Sequence, residues 1–248
     1  MAVGIVLDVR DDGRIGPGTT SPSAVLFDFH GTLVQVEDPV VWVSEAAAAC
    51  GTRLDRAAAT ALADRLVTAG RAGGPLPARV PPHLAELYAD RDLYEYAHRA
   101  AYVGLAQTVP TSVDGLADAL YERLLLPEGW LAYRDTLAVL AALHEAGVPV
   151  AVVSNIGFDI RPIVTALGFA SYVDAFVLSY ELGRCKPDPA IFTYACAALG
   201  AEPEQTLMVG DTPADAGAVR AGCRAYVLPS APPGAENGLA GVLDLVRK

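Results

Sequence analysis

Apolar and polar positions change period twice along this chain. Residues 24–29 form one short apolar run, the length of a single buried strand. From residue 39 to about residue 126, apolar residues recur at helical spacing in alanine-rich text. Asp38-Pro39 opens this block, with a carboxylate able to cap and a proline suited to the first helical position. Residues 53–69 continue the helical pattern, and Gly73-Gly74-Pro75 with the prolines at 77, 81 and 82 interrupts it. Helical patterns resume at about 83–89, 93–108 and 113–125.

After Pro127 helix and strand alternate. Helices are predicted at about 135–146, 160–167, 189–199 and 213–221, and strands at 148–153, 175–178, 206–209 and 225–228. The run 148–153 is apolar throughout, as in a strand covered on both faces. This alternation predicts an α/β fold with a parallel, doubly wound, Rossmann-like sheet and right-handed crossovers. The helical block is then an all-helical insertion after the first core strand. The expected organisation is an extension over 1–22, a core over 23–36 and 127–248, and the insertion over 37–126. The extension ends in the turn-rich run from Gly16 to Pro22 and is expected to be loosely attached.

Composition narrows the function classes. With 248 residues and 52% hydrophobic content the chain can bury a sizeable core. A formal net charge of −11, with no basic block, argues against nucleic acid and against an anionic membrane surface. No apolar stretch approaches the roughly 20 residues of a membrane span. The apolar start, Met1 to Leu7, is followed by Asp8, Asp11 and Asp12 and does not read as a signal peptide. Four scattered cysteines, Cys50, Cys185, Cys196 and Cys223, contain no CxxC pair, which suggests reduced, mostly buried thiols and a cytoplasmic setting. Lys186 and the C-terminal Lys248 are the only lysines, so the internal one stands out.

Four predicted strand ends carry or lead to polar residues, and in an open parallel sheet those ends face the ligand crevice. The first run, Val25-Leu26-Phe27-Asp28-Phe29-His30-Gly31-Thr32-Leu33, presents Asp28, His30 and Thr32. The second ends in Ser154-Asn155, the third leads through Ser179 and Gly183 to Lys186-Pro187-Asp188, and the fourth ends in Gly210-Asp211-Thr212 with Asp215 close behind. Carboxylates, a hydroxyl and one ammonium converging on a crevice suit Mg²⁺-assisted phosphoryl transfer. Asp211 and Asp215 also suit the N-terminus of the helix after Pro213. Val6-Leu7-Asp8-Val9 imitates the first run without its Gly-Thr pair and is read as accidental.

These four motifs, in this order, resemble the haloacid dehalogenase superfamily over about residues 23–230. The resemblance implies that Asp28 attacks phosphorus and becomes an aspartyl-phosphate. It implies that Ser154, with Asn155 and Gly31, binds the phosphoryl group, and that Lys186 neutralises nucleophile and phosphate. Asp28, Asp211, Asp215 and the backbone carbonyl of His30 are implied Mg²⁺ ligands, Asp215 directly or through an intermediary. The helical insertion resembles a C1-type cap, whose closure over the crevice implies a small phosphorylated substrate. At the position of His30 the typical phosphatases of this superfamily carry an acid/base aspartate. Two alternatives remain open here: a dehalogenase-like hydrolase using an aspartyl ester, and a phosphate-binding protein without turnover. The phosphonate-cleaving branch needs a cap lysine, and residues 37–126 contain none. Arg71, Arg79, Arg91, His98 and Arg99 are candidates to meet a second anionic group, although arginines on helices usually face solvent. Tyr88, Tyr94, Tyr96 and Tyr102 are expected to pack inside the insertion.

Overall fold

The computed structural model describes residues 4–7, 21–229 and 231–246. In chain order its strands and helices begin with β1 (Ile5–Leu7), β2 (Ala24–Phe27) and β3 (Val34–Val36). Five helices follow: α1 (Pro39–Ala49), α2 (Arg56–Ala69), α3 (Ala85–Ala89), α4 (Glu95–Gln107) and α5 (Leu116–Leu125). Next come β4 (Trp130–Ala132), α6 (Thr136–Glu145), β5 (Val150–Ser154), α7 (Arg161–Ala166) and β6 (Ala175–Leu178). The chain continues through α8 (Ser179–Leu182), α9 (Pro189–Ala198), β7 (Thr206–Gly210), α10 (Pro213–Ala216), β8 (Arg224–Val227) and α11 (Ala240–Val246).

The main sheet has the order β1-β8-β7-β2-β5-β6. Its five strands from β8 to β6 are parallel, as the alternation predicts, and β1 pairs antiparallel with β8 at the edge. From β2 the chain winds outward through β5 and β6, then returns to the other side of β2 for β7 and β8. The crevice between β2 and β7 is therefore the switch point, where loops leave in opposite directions and open a ligand site. Every residue of β2, β5 and β7 is buried, because helices cover both faces. Val25, Phe27, Val152 and Val209 face one core, while Leu26, Ala151, Val153 and Met208 face Ile191 and Phe192 of α9 on the other. Fully burying a side chain of this size contributes about 1.5–3 kcal/mol. That fixes the register in which Asp28 leaves the sheet.

Helices α1–α5 gather around their own core of Trp42, Val43, Leu62, Leu66, Leu116 and Leu120. Asp38 caps α1 as expected, accepting from the amides of Val40 and Val41 at 2.8 and 3.3 Å. A two-stranded antiparallel ribbon that the sequence pattern did not suggest, β3 with β4, brings the two ends of the insertion together. Glu37 beside it accepts two hydrogen bonds from Arg123, at 2.7 and 2.8 Å, and the Trp130 indole N–H donates to the Leu124 carbonyl at 2.7 Å. Three residues per strand give too short an alternation to recognise in sequence.

Three further expectations are corrected. Residues 5–7 of the supposedly loose extension are a paired edge strand, and their apolar character reflects that pairing. The remainder of that extension over 8–20, including Asp8 and Val9 of the imitation motif, lies outside the described residues. Tyr94 and Tyr96 do not pack inside the insertion: they are 49% and 66% exposed and stack on each other at 5.5 Å. All four cysteines are free, but Cys50 and Cys185 are only partly buried. No helix among the described residues is long and apolar enough to cross a membrane.

Candidate functional site

Asp28 follows the last residue of β2, and its amide donates to the Val209 carbonyl at 2.9 Å, which ties it to β7. The chain then turns through Gly31, whose φ of +84° is left-handed. A Cβ there would stand 2.3 Å from Oδ2 of Asp211, so glycine is also required by the close approach of the two loops. Gly210 meets the same demand at the end of β7, where a Cβ would come within 2.2 Å of Cγ of Asp215. Asn237 holds the first loop from outside, donating from Nδ2 to the carbonyls of Gly31 and Thr32 at 2.9 and 2.8 Å. Asp135 holds that segment in turn through the amides of Asn237 and Leu239.

Lys186 joins the two acids. Its ammonium donates to Oδ1 of Asp28 at 2.7 Å and to Oδ1 of Asp215 at 2.6 Å, with all three side chains almost wholly buried. Burial alone would lower the lysine's pKa, but Asp215 and Asp28 outweigh it and raise it, so Lys186 remains an ammonium. The same burial pushes the Asp28 carboxyl up to about 7, with Asp215 and Asp211 adding repulsion and Lys186 opposing it. Asp211 rises to about 6 through burial and its neighbour Asp215. Asp215 also accepts from the Thr212 amide and hydroxyl at 3.0 and 2.6 Å, closing the capping box of α10. The capping and chemical readings of Asp215 are thus both realised in one carboxylate.

Asn155 addresses the lysine rather than open space. Its amide nitrogen donates to the Lys186 carbonyl at 2.8 Å, and its oxygen accepts from the Lys186 amide at 2.7 Å. That double contact sets where the lysine backbone sits. The Gly31 amide is likewise engaged, donating to the Val34 carbonyl at 2.8 Å. Ser154 is buried at the end of β5 and lines a cavity of about 100 Å³ between the strand ends and the insertion. His30 lines it too. Burial lowers the His30 pKa to about 4, with Arg71 adding to the fall and Gln35 and the Gly73 backbone opposing it. The imidazole is therefore neutral at pH 7.

Carboxylate oxygens of Asp28, Asp211 and Asp215 lie within 4.8 Å of one another. Among the described residues, Oδ1 of Asp211 and Oγ1 of Thr32 are buried without a hydrogen-bond partner. A buried, unpartnered carboxylate oxygen beside two other acids is costly unless a cation meets it. This all-oxygen set fits a hard divalent ion such as Mg²⁺.

The structure brings together Asp28, His30, Ser154, Asn155, Lys186, Asp211 and Asp215, all foreseen from the four strand ends. Most candidates for a second anion stand elsewhere. Arg71 lies over the Trp42 ring at 4.4 Å, and Arg99 is bound to Glu122 and Asp118 at 2.6 and 2.9 Å. Arg79 belongs to a separate surface cleft. His98 does reach the cavity, with Nδ1 2.8 Å from the Tyr121 hydroxyl, and burial holds its pKa at about 3. Sequence reasoning missed Asp92, Trp130 and Phe158 in the cavity wall and Asn237 behind the first loop. None sits at the C-terminal end of a predicted strand or in a spaced motif, so no local signal marks them.

The comparisons follow the same geometry. A family model for haloacid dehalogenase-like hydrolases matches residues 22–222. The chain is 31% identical to haloacid dehalogenase-like hydrolase domain-containing protein 3 of Danio rerio over 41% of its own length and 42% of that protein's. It is 35% identical to the phosphoserine phosphatase of Thermus thermophilus over 42% of its own length and 41% of that protein's. The chain thus spans less than half the length of either curated relative. A crystal structure of a dehalogenase superposes with a TM-score of 0.63 at 25% identity, covering 91% of this chain and 97% of the other. Because the family match runs from β2 to the turn before β8 and encloses Asp28, Ser154, Lys186, Asp211 and Asp215, the chain belongs to the haloacid dehalogenase-like hydrolase family.

Proposed function

We propose that this hydrolase is a cytoplasmic, Mg²⁺-dependent phosphatase of a small phosphorylated metabolite, working through an aspartyl-phosphate on Asp28. The observation that carries the reading is the buried Lys186 ammonium shared by Asp28 and Asp215, with Asp211 leaving an oxygen unpartnered beside them. Phosphatases among the relatives support the same reaction class. Asp28 attacks phosphorus, and Lys186 favours its ionised form and offsets the negative charge arriving with the phosphoryl group. Ser154 donates to a phosphoryl oxygen, and Asn155 acts by placing Lys186. A bound Mg²⁺, held by Asp28, Asp211, the His30 carbonyl and Asp215 directly or through water, would stabilise charge on the phosphoryl oxygens. The helical insertion serves as a cap of the C1 type, which excludes water and macromolecular substrates.

The test is release of inorganic phosphate from acetyl phosphate by the full chain, with Mg²⁺ and then with EDTA. Activity should depend on the metal and fall more than about a hundredfold on its removal. No release would leave a phosphate-binding protein without turnover. The likeness to a dehalogenase supports a second reading, in which Asp28 displaces halide from a 2-haloacid. Halide release that survives EDTA would establish that route and overturn the first.

In the proposed reaction His30 stands where the resemblance puts the acid/base group that takes a proton from the attacking water. A neutral imidazole with a pKa near 4 is a weak base and no acid at pH 7. His30→Asp is expected to raise kcat about tenfold, read as steady-state phosphate release. A collapse of the rate would instead identify histidine as the tuned group.

A further inference from the structure

The cavity reached from Ser154 is walled by rings and hydrocarbon: Tyr102, Trp130, Phe158, Leu124 and Ile156. Among the described residues, no lysine or arginine lines it. Arg71 and Arg91 stand directly behind lining residues, Arg71 near His30 and Arg91 against Tyr102 and Asp92, and both guanidiniums are already engaged. The Arg71 guanidinium lies over Trp42 at 4.4 Å. The Arg91 guanidinium lies over Tyr88 at 4.1 Å, donates to the Tyr88 carbonyl at 2.6 Å and pairs with the Asp92 carboxylate at 3.4 Å. Lys186 is held by Asp28 and Asp215 at the phosphoryl end. His98 packs its ring on Tyr102 and Phe158, with centroids 4.8 and 5.2 Å apart, and directs Nδ1 to Tyr121. Among the described residues, the acidic side chain in the wall is Asp92.

We infer that the alcohol portion of the substrate is compact and uncharged, a small aliphatic alcohol esterified to phosphate, and that a wall whose neighbouring guanidinium is already paired with Asp92 selects against esters bearing a carboxylate. This rests on the phosphatase reading. A carboxylate entering this wall loses hydration without gaining an unpaired cation, because Asp92 already holds the Arg91 guanidinium. A neutral hydrocarbon gains dispersion contact with the rings instead. Size sets the other limit. An apolar cavity of about 150 Å³ admits a benzene ring, so one of about 100 Å³ takes a group of only a few carbons. The phosphoserine phosphatase relative acts on a carboxylate-bearing ester, and this chain is assigned a different leaving group.

Isobutyl phosphate and phosphoglycolate are close in shape and differ in the carboxylate, so they isolate this charge. With Mg²⁺ present, kcat/KM of the full chain should favour isobutyl phosphate by about 10- to 100-fold. Equal or reversed preference overturns the inference and leaves the phosphatase reading intact. Turnover of acetyl phosphate with neither ester accepted overturns it as well. Failure to turn over acetyl phosphate itself removes the phosphatase reading, and this inference with it. Asp92→Asn should shift the ratio toward phosphoglycolate by about tenfold, and an unchanged ratio would remove Asp92 from the assignment. The wild-type ranking stands as a test even if that variant does not fold.

Discussion

Asp28→Asn is expected to lower kcat by about four orders of magnitude or more, because an amide cannot form the acyl-phosphate on which turnover depends. The expected stability change has the opposite sign. Asp28 has its pKa raised from 3.8 to about 7 by burial and by the neighbouring acids. Above pH 3.8 the unfolded chain ionises this group more readily than the folded chain does, so its charge weakens the ion-free fold as pH rises toward 7. Asparagine relieves that cost while Lys186 keeps its bond to Asp215. Without metal at pH 8 the variant should melt no lower than the wild type, and it should lose the rise in Tm that Mg²⁺ gives the wild type. Thermal melts with and without Mg²⁺, beside a phosphate-release assay, measure both effects. Turnover near the wild-type level would remove Asp28 as the nucleophile.

Lys186→Met should impair both activity and stability. The ammonium is buried between Asp28 and Asp215, and removing one partner of a buried ionic cluster typically costs about 3–5 kcal/mol. Methionine fills the volume but leaves two carboxylates facing each other. One of them must take up a proton or the local packing must open. Activity should fall by at least about a thousandfold, since the charge that steadies both nucleophile and phosphoryl group is gone. The pH dependence carries its own signature. The Lys186 pKa is raised above 10.5 in the fold, so its stabilising contribution is full below 10.5 and is lost as pH climbs through the higher folded value. Denaturant melts from neutral to strongly alkaline pH should show that loss in the wild type and not in Lys186→Met. Equal stabilities at pH 8 would refute the structural role assigned to the lysine.

Much of the fold was legible because the core strands are apolar throughout and separated by helical periods. A strand buried on both faces has little freedom to carry polar residues, so the ends of such runs stand out in sequence. Asp28, Ser154 and Asp211 lie at or just beyond those ends, and Lys186 is the one internal lysine. The edge strand β1 and the β3–β4 ribbon were not legible. Each is three residues per strand, and pairing rather than periodicity holds them.

The site divides along the same line. Sequence alone determined which groups can act: a strand-end aspartate, a serine, a lysine and an acid pair, in order along the chain. Only the tertiary structure decided what each one touches. It gave both of Lys186's bonds to acids far away in the chain, turned Asn155 onto the lysine backbone, and made Asp215 a cap and an ionic partner at once. It also placed Asp92, Trp130 and Phe158 in one cavity wall and kept Arg71 and Arg91 out of it. The reason is physical. Periodicity records which face of an element is buried, whereas ion pairing, desolvation and cavity lining depend on distances between segments that no local pattern encodes.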